Sequence, residues 1–237
     1  KSLVLLIMEE EFYIAESDVT LSMKMVRFYF QRLGWVSPNY TAKLFWKLFT
    51  KPRKRKFSAN NLTFLNKAES STYKSLKTKA DFTIHKFGKG EKVVLVCHGW
   101  EGRTSDFKAI IDEIILQENI QVWSIDFPGH GTSKDNEAHL PLFIDVINTT
   151  IQLSSKIEVL IGHSLGAASI AMSVPENPHF FNEKKLILMG LHPVPSQFFE
   201  QYKKITRISD GLYDKCVVFA ESRVGSTLQD YDCHKHI

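Results

Sequence analysis

The stretch Ile157-Glu-Val-Leu-Ile-Gly-His-Ser-Leu-Gly-Ala-Ala168 decides how the rest of the chain is read. Its opening, Ile157 to Ile161, is a short apolar run of the kind that forms a strand buried in a parallel sheet. The pattern breaks at Gly162-His-Ser-Leu-Gly166, and the small residues Ala167, Ala168 and Ser169 then open a helix. A G-x-S-x-G turn between strand and helix is a sharp, strained bend that lifts a serine hydroxyl above the sheet. Both glycines have a steric reason, because neighbouring chain comes too close at such a bend for side chains. The bare pattern is common; its position at a strand-to-helix junction is what gives it weight.

Moving outward, strands alternate with helices on both sides of this bend. Phe82–Phe87 alternates like a strand and ends at Gly88, and Lys92-Val-Val-Leu-Val-Cys97 is a second continuous apolar run. Phe107, Ile110, Ile111, Ile114 and Ile115 recur at helical spacing, with Ser105 as the expected N-cap. Ile120–Ile125 reads as the next strand. The helix marked by Phe143, Val146, Ile147 and Ile151 comes after it, with Pro141 in its first turn, where a missing N–H costs little. Lys185–Met189 is a further buried strand. This alternation predicts an α/β fold, a mostly parallel sheet flanked by helices, over residues 81–195.

Two more loops leave the same sheet edge. Cys97 runs into His98-Gly-Trp-Glu-Gly102, and Ile125 into Asp126-Phe-Pro-Gly-His-Gly-Thr-Ser133. A loop at the carboxyl end of a parallel strand can aim a backbone N–H at a developing oxyanion, where one donor contributes roughly 3–4 kcal/mol. The N–H groups of Trp100 and Leu165 are the expected pair. His98 and His163 read as orienting or packing residues, and Cys97 as a small buried apolar residue.

Together, Val94-Leu-Val-Cys-His-Gly-Trp100, Asp126-Phe-Pro-Gly-His-Gly131 and Gly162-His-Ser-Leu-Gly166 resemble the α/β-hydrolase fold family. In order and spacing they match its oxyanion loop, the turn after its fourth strand, and its nucleophile elbow. The likeness spans roughly residues 81–193, and the basic helical lead-in over 23–56 is similar to one in a bacterial subgroup of such hydrolases. The resemblance implies that Ser164 is the nucleophile and that Trp100 and Leu165 supply the oxyanion donors. It further implies hydrolysis of an ester, thioester or amide through an acyl-enzyme, on a small-molecule acyl substrate and without a cofactor.

A serine needs a base, and the base an acid. In the family these come after the nucleophile in the order acid, then histidine. Two more strand–helix units plus cap helices would take roughly 60 residues or more, a longer stretch than the one from Met189 to Ile237. Gln197–Ile208 and Leu212–Val224 look helical, with Gly225 as a stop. The expectation is therefore a helical cap over 196–237, with the last core strands missing. The rival reading makes Cys216–Ala220 a strand, Glu221 the acid, and His234 or His236 the base. His192 comes too soon after its strand for that role. A non-catalytic binding protein of the same fold is the alternative function.

The chain has 237 residues, with 43% hydrophobic and 12% aromatic content, enough to build a sizeable core and to exclude disorder throughout. No apolar run reaches the roughly 20 residues of a spanning helix. Cys97, Cys216 and Cys233 make neither a disulfide framework nor a zinc pattern, which predicts a reducing, cytoplasmic setting without a metal. The net charge of +4 is unevenly spread: residues 23–80 hold fourteen Lys or Arg against the single acid Glu69. That segment is expected to be a basic helical extension and linker, and residues 1–22 an extraneous leader. In the extension Leu44, Phe45, Leu48 and Phe49 share one helix side, and Pro52 ends the pattern. The Phe45, Trp46 and Phe49 cluster is expected to pack onto the core. The competing reading is peripheral membrane contact through residues 23–56. Lys51–Lys56 reads as a solvated basic face, not a nucleic-acid patch.

Overall fold

A computed structural model describes residues 3–7 as backbone, and residues 20–192, 194 and 196–233 in full. The chain divides into two compact units, one containing residues 51–193 with 1–8, the other residues 9–50 with 194–232.

The first unit is built on one sheet. Its strands are β1 (Leu3–Ile7), β2 (Glu69–Lys74), β3 (Asp81–Gly88), β4 (Lys92–Cys97), β5 (Ile120–Asp126), β6 (Ile157–His163) and β7 (Lys185–Leu191). Their order across the sheet is β1-β7-β6-β4-β5-β3-β2. Neighbours from β1 to β5 run parallel, while β3 is antiparallel to both β5 and β2. The sheet thus takes in Glu69–Lys74, inside the segment expected to be linker, because Ser71 and Tyr73 find partners on Ile84 and Phe82. Leu3–Ile7, set aside in the sequence as leader, pairs in parallel with β7 from Leu3↔Leu186 onward. The remainder of that supposed leader, residues 8–19, lies outside the described residues.

The helices of this unit are α3 (Ala59–Leu65), α4 (Lys108–Ile114), α5 (Leu140–Leu153), α6 (Leu165–Ser173) and the short α7 (Pro178–Phe181), α1 and α2 belonging to the second unit. Phe64 of α3 and Phe107 and Ile111 at α4 cover the sheet face made by Phe87, Val94, Val96, Val122 and Ile161. Alternate residues along β4 face opposite ways, and both sets are buried, as a two-sided parallel strand requires. Ser105 does not cap α4. Asp126 Oδ1 accepts the Thr104 N–H at 2.7 Å, a 3-10 turn over Thr104–Phe107 precedes the helix, and Ser105 Oγ has no hydrogen-bond partner among the described residues.

The second unit is helical: α1 (Leu21–Phe28), a π turn at Tyr29–Leu33, a 3-10 turn at Gly34–Val36, α2 (Pro38–Phe49), α8 (Gln197–Thr206) and α9 (Asp210–Val224). Its core gathers Phe30, Phe45, Trp46, Phe199, Leu212 and Tyr213. Phe45 is enclosed by edge-on rings from Phe30, Tyr202 and Tyr213. The Phe45 cluster is therefore buried against α8 and α9. Residues 20–50 of the supposed extension and α8 and α9 of the supposed cap are one body, while residues 51–80 belong to the sheet unit. α2 stops where expected, with Thr50 Oγ1 donating to Trp46 O at 2.8 Å and Pro52 beyond. α9 stops at Gly225, whose φ of +78° suits glycine.

Candidate active site

The chain reverses its direction of travel across the sheet at β4, which has β5 on one side and β6 on the other. Loops at the carboxyl ends of strands around such a switch point form the usual binding crevice of open α/β sheets. Three loops meet that description here: 98–102 after β4, 127–133 after β5, and the bend after β6.

At the third, Ser164 sits between β6 and α6 with φ 51° and ψ −119°. This backbone conformation is strained for a residue with a side chain. Ser164 N–H donates to Met189 O at 2.9 Å, and Ser164 O accepts from Ala168 N–H at 3.0 Å as the helix begins. Both flanking glycines are sterically required. A methyl group at Gly162 would lie 2.6 Å from Ala167 Cα, and one at Gly166 would lie 2.5 Å from Cys97 O. The elbow and the end of β4 are therefore in direct backbone contact. The loop after β4 also closes on the serine, since a Cβ on Gly99 would stand 2.8 Å from Ser164 Cβ. Ser164 and Leu165 are half-buried and His163 is exposed.

The neighbouring loops are fixed by buried polar groups. His98 Nδ1 pairs with Gly99 O at 2.7 Å, and its Nε2 accepts the Phe127 N–H at 3.2 Å. His130 Nδ1 pairs with Pro128 O at 2.9 Å, and its Nε2 accepts the Glu101 N–H at 3.0 Å. Each imidazole is therefore a neutral brace with both nitrogens occupied. Burial drives the His98 pKa down, and that of His130 down to about 3, overriding the carboxylates nearby. The orienting role expected for His98 is what the geometry displays; His130 plays the same part.

Asp126 anchors the whole group. Its carboxylate accepts N–H groups of Thr104 and Thr132, each at 2.7 Å, and lies 3.1 Å from His85 Nε2. Burial alone would raise its pKa, but the hydrogen bond and charge of His85, with help from His98 and Thr104, hold it well below the carboxylate range. His85 Nδ1 in turn meets Ser70 Oγ at 2.7 Å across the β2–β3 pair. The sequence marks Asp126 only as the start of a glycine turn, and nothing in the local pattern of β3 signals His85. Cys97 is fully buried, and burial alone pushes its thiol pKa up, so it is an apolar filler.

Cys216–Ala220 is part of α9, not a strand. This removes the topology that assigning Glu221 as acid required. Glu221 instead accepts the Leu228 N–H at 3.0 Å, closing the turn after its own helix. His234 and His236 lie outside the described residues.

A strained serine at a strand-to-helix bend, beside the loop of the central strand in a mostly parallel sheet, defines the α/β-hydrolase class. A model described as the alpha/beta hydrolase family matches residues 93–208, and the chain has the α/β-hydrolase fold. It is 26% identical over 152 residues to a serine hydrolase-like protein of Dictyostelium discoideum, covering 61% of this chain and 41% of that one. The chain thus spans less than half the length of this curated relative. An esterase from Pyrococcus furiosus superposes with a TM-score of 0.51 at 16% identity, over 77% of this chain and 72% of that one. A thioesterase domain from the curacin biosynthetic pathway gives 0.46 at 24% identity, over 54% and 45% of the two chains.

Proposed function

We propose that the chain carries the nucleophile and oxyanion site of a serine hydrolase acting on a carboxylic ester, thioester or amide. The observation that carries this reading is the positive φ of Ser164 at the strand–helix bend, with Gly99 packed against it. The Ser164 oxygen attacks the acyl carbon, and its proton passes to a general base as the tetrahedral oxyanion forms. Trp100 and Leu165 N–H groups are the donors for that oxyanion, and neither has an acceptor among the described residues. Collapse expels the alcohol, thiol or amine with the proton, and water then releases the acid by the same steps. His98 and His130 are not the base, since their nitrogens are held by backbone groups.

A fluorophosphonate probe tests the assignment. The expected result is a single adduct on Ser164 in peptide mass spectra, lost in Ser164→Ala. An adduct that survives that substitution removes Ser164 as nucleophile. One observation favours a second reading, a non-catalytic acyl-binding protein: among the described residues Ser164 Oγ makes no hydrogen bond to a histidine. Acyl-ligand binding without turnover of p-nitrophenyl or acyl-thioester substrates would select it.

A further inference from the structure

The helical unit presents an apolar face that its own core does not use. Leu21, Met25 and Phe28 stand at i, i+4 and i+7 of α1, one side of a helix, and are 76, 66 and 60% exposed. The chain continues through Trp35 and Val36, 55 and 82% exposed, to an exposed Tyr40 at the start of α2. The opposite side of the same elements carries the burial, through Phe30, Ala42, Phe45 and Trp46. An ordinary soluble surface scatters such residues singly; here seven, Leu33 included, fall within one short stretch of sequence. Within this stretch the charge has one sign, while the exposed Asp210 stands next to Gly211, on which the Trp35 ring packs. Lys24, Arg32, Lys43 and Lys47 are exposed, and no acidic residue occurs from position 20 to 68.

We propose that this face, made by Leu21, Met25, Phe28, Trp35, Val36 and Tyr40, docks the protein on the surface of an anionic lipid bilayer. Leucine and phenylalanine enter the headgroup–acyl boundary, tryptophan and tyrosine suit the interface itself, and flanking cations meet the lipid charge. The exposed cations select an anionic surface over a second copy of the chain, because two such faces would repel. The aromatic cluster at Phe45 and Trp46, expected from the sequence to pack, is consumed by the unit's own core. The face that remains is the one before it. No described helix is long and apolar enough to cross a membrane, so this is contact with the surface.

The experiment is co-sedimentation of the full chain with vesicles of phosphatidylcholine containing phosphatidylserine, and with phosphatidylcholine alone. Binding to the first, weakened by salt, is expected, with a blue shift of tryptophan emission that Trp35→Phe removes. Leu21→Ser with Phe28→Ser and Val36→Ser, all at exposed positions, should lower partitioning roughly a hundredfold while leaving the melting temperature unchanged. Lys24→Glu with Arg32→Glu should lower it by about thirtyfold or more. Absence of binding to the anionic vesicles overturns the proposal, as does binding that the triple serine variant retains. Lipid-free self-association abolished by that same variant overturns it in favour of a second copy. Fluorophosphonate labelling of Ser164 is read separately, so failure of one assignment leaves the other standing.

Discussion

The turns after β5 and β6 leave the same edge of the sheet and differ in almost every other respect. After β5, Asp126 is fully buried and every loop around it is braced: Thr104, Thr132 and His85 hold its carboxylate, while His98 and His130 clasp backbone carbonyls and amides. After β6, Ser164 is half-buried, its backbone is strained, and its hydroxyl and the Leu165 N–H are unengaged among the described residues. The first turn satisfies its polar groups internally and so sets position. The second withholds that satisfaction, which leaves groups available to a reacting molecule.

Substitutions can separate the two roles. Ser164→Ala should abolish labelling by a fluorophosphonate while the melting temperature stays within a degree or two of the parent, because alanine keeps the same Cβ in the strained backbone. A large loss of stability would show that the elbow is structural. Asp126→Ala should do the reverse, destabilising by about 3–5 kcal/mol because His85 and two amides lose their buried partner; chemical denaturation measures it. Gly166→Ala forces a methyl group against Cys97 O, and we expect about 1–3 kcal/mol of destabilisation with loss of labelling, since strand and elbow must part. If that variant labels normally, the close approach of β4 to the bend is not needed for reactivity.

The pH dependence is smaller and its sign comes from the braces. His130 titrates near 3 when folded, below its ordinary 6.5. The unfolded chain therefore gains a proton first, and stability falls as pH drops from about 6.5 towards 3. His98 acts in the same direction. Asp126, with its folded pKa depressed, contributes stability that is present above the ordinary carboxylate pKa of 3.8 and lost below it. Melting temperatures across that range should decline in acid, and His130→Asn should flatten the upper part of the decline. The smallest effect belongs to Arg53, whose bidentate pairing with Glu101 is on the surface; Arg53→Ala should cost less than about 1 kcal/mol, and less still in high salt.

The strands and helices from Phe82 to Met189 were legible because burial on both faces writes itself as apolar runs, and helical burial as a period. The elbow was legible because its glycines are a steric necessity. Three things were not. β2 is an edge strand of serine, threonine and tyrosine, so its sequence resembles linker until a partner strand is known. Leu3–Ile7 pairs with β7, which lies far along the sequence, and local pattern cannot report such a pairing. The union of residues 20–50 with α8 and α9 is likewise a long-range event: the period of α2 showed an apolar side but not what would cover it. For the polar braces, His85 and His130 look like ordinary histidines in a strand and a turn, and only their distances to Asp126 and Glu101 reveal their work.

Helix α5 is buried along most of its length, including polar Asp145, Asn148 and Thr149. Asp145 and Thr149 receive the amides of Leu76, Lys77 and Thr78, so the β2–β3 hairpin is laced onto it. With no wet side from which to fray, its amides near Ile147 should exchange with deuterium only when the entire sheet unit opens. That segment is therefore a built-in clock for global unfolding.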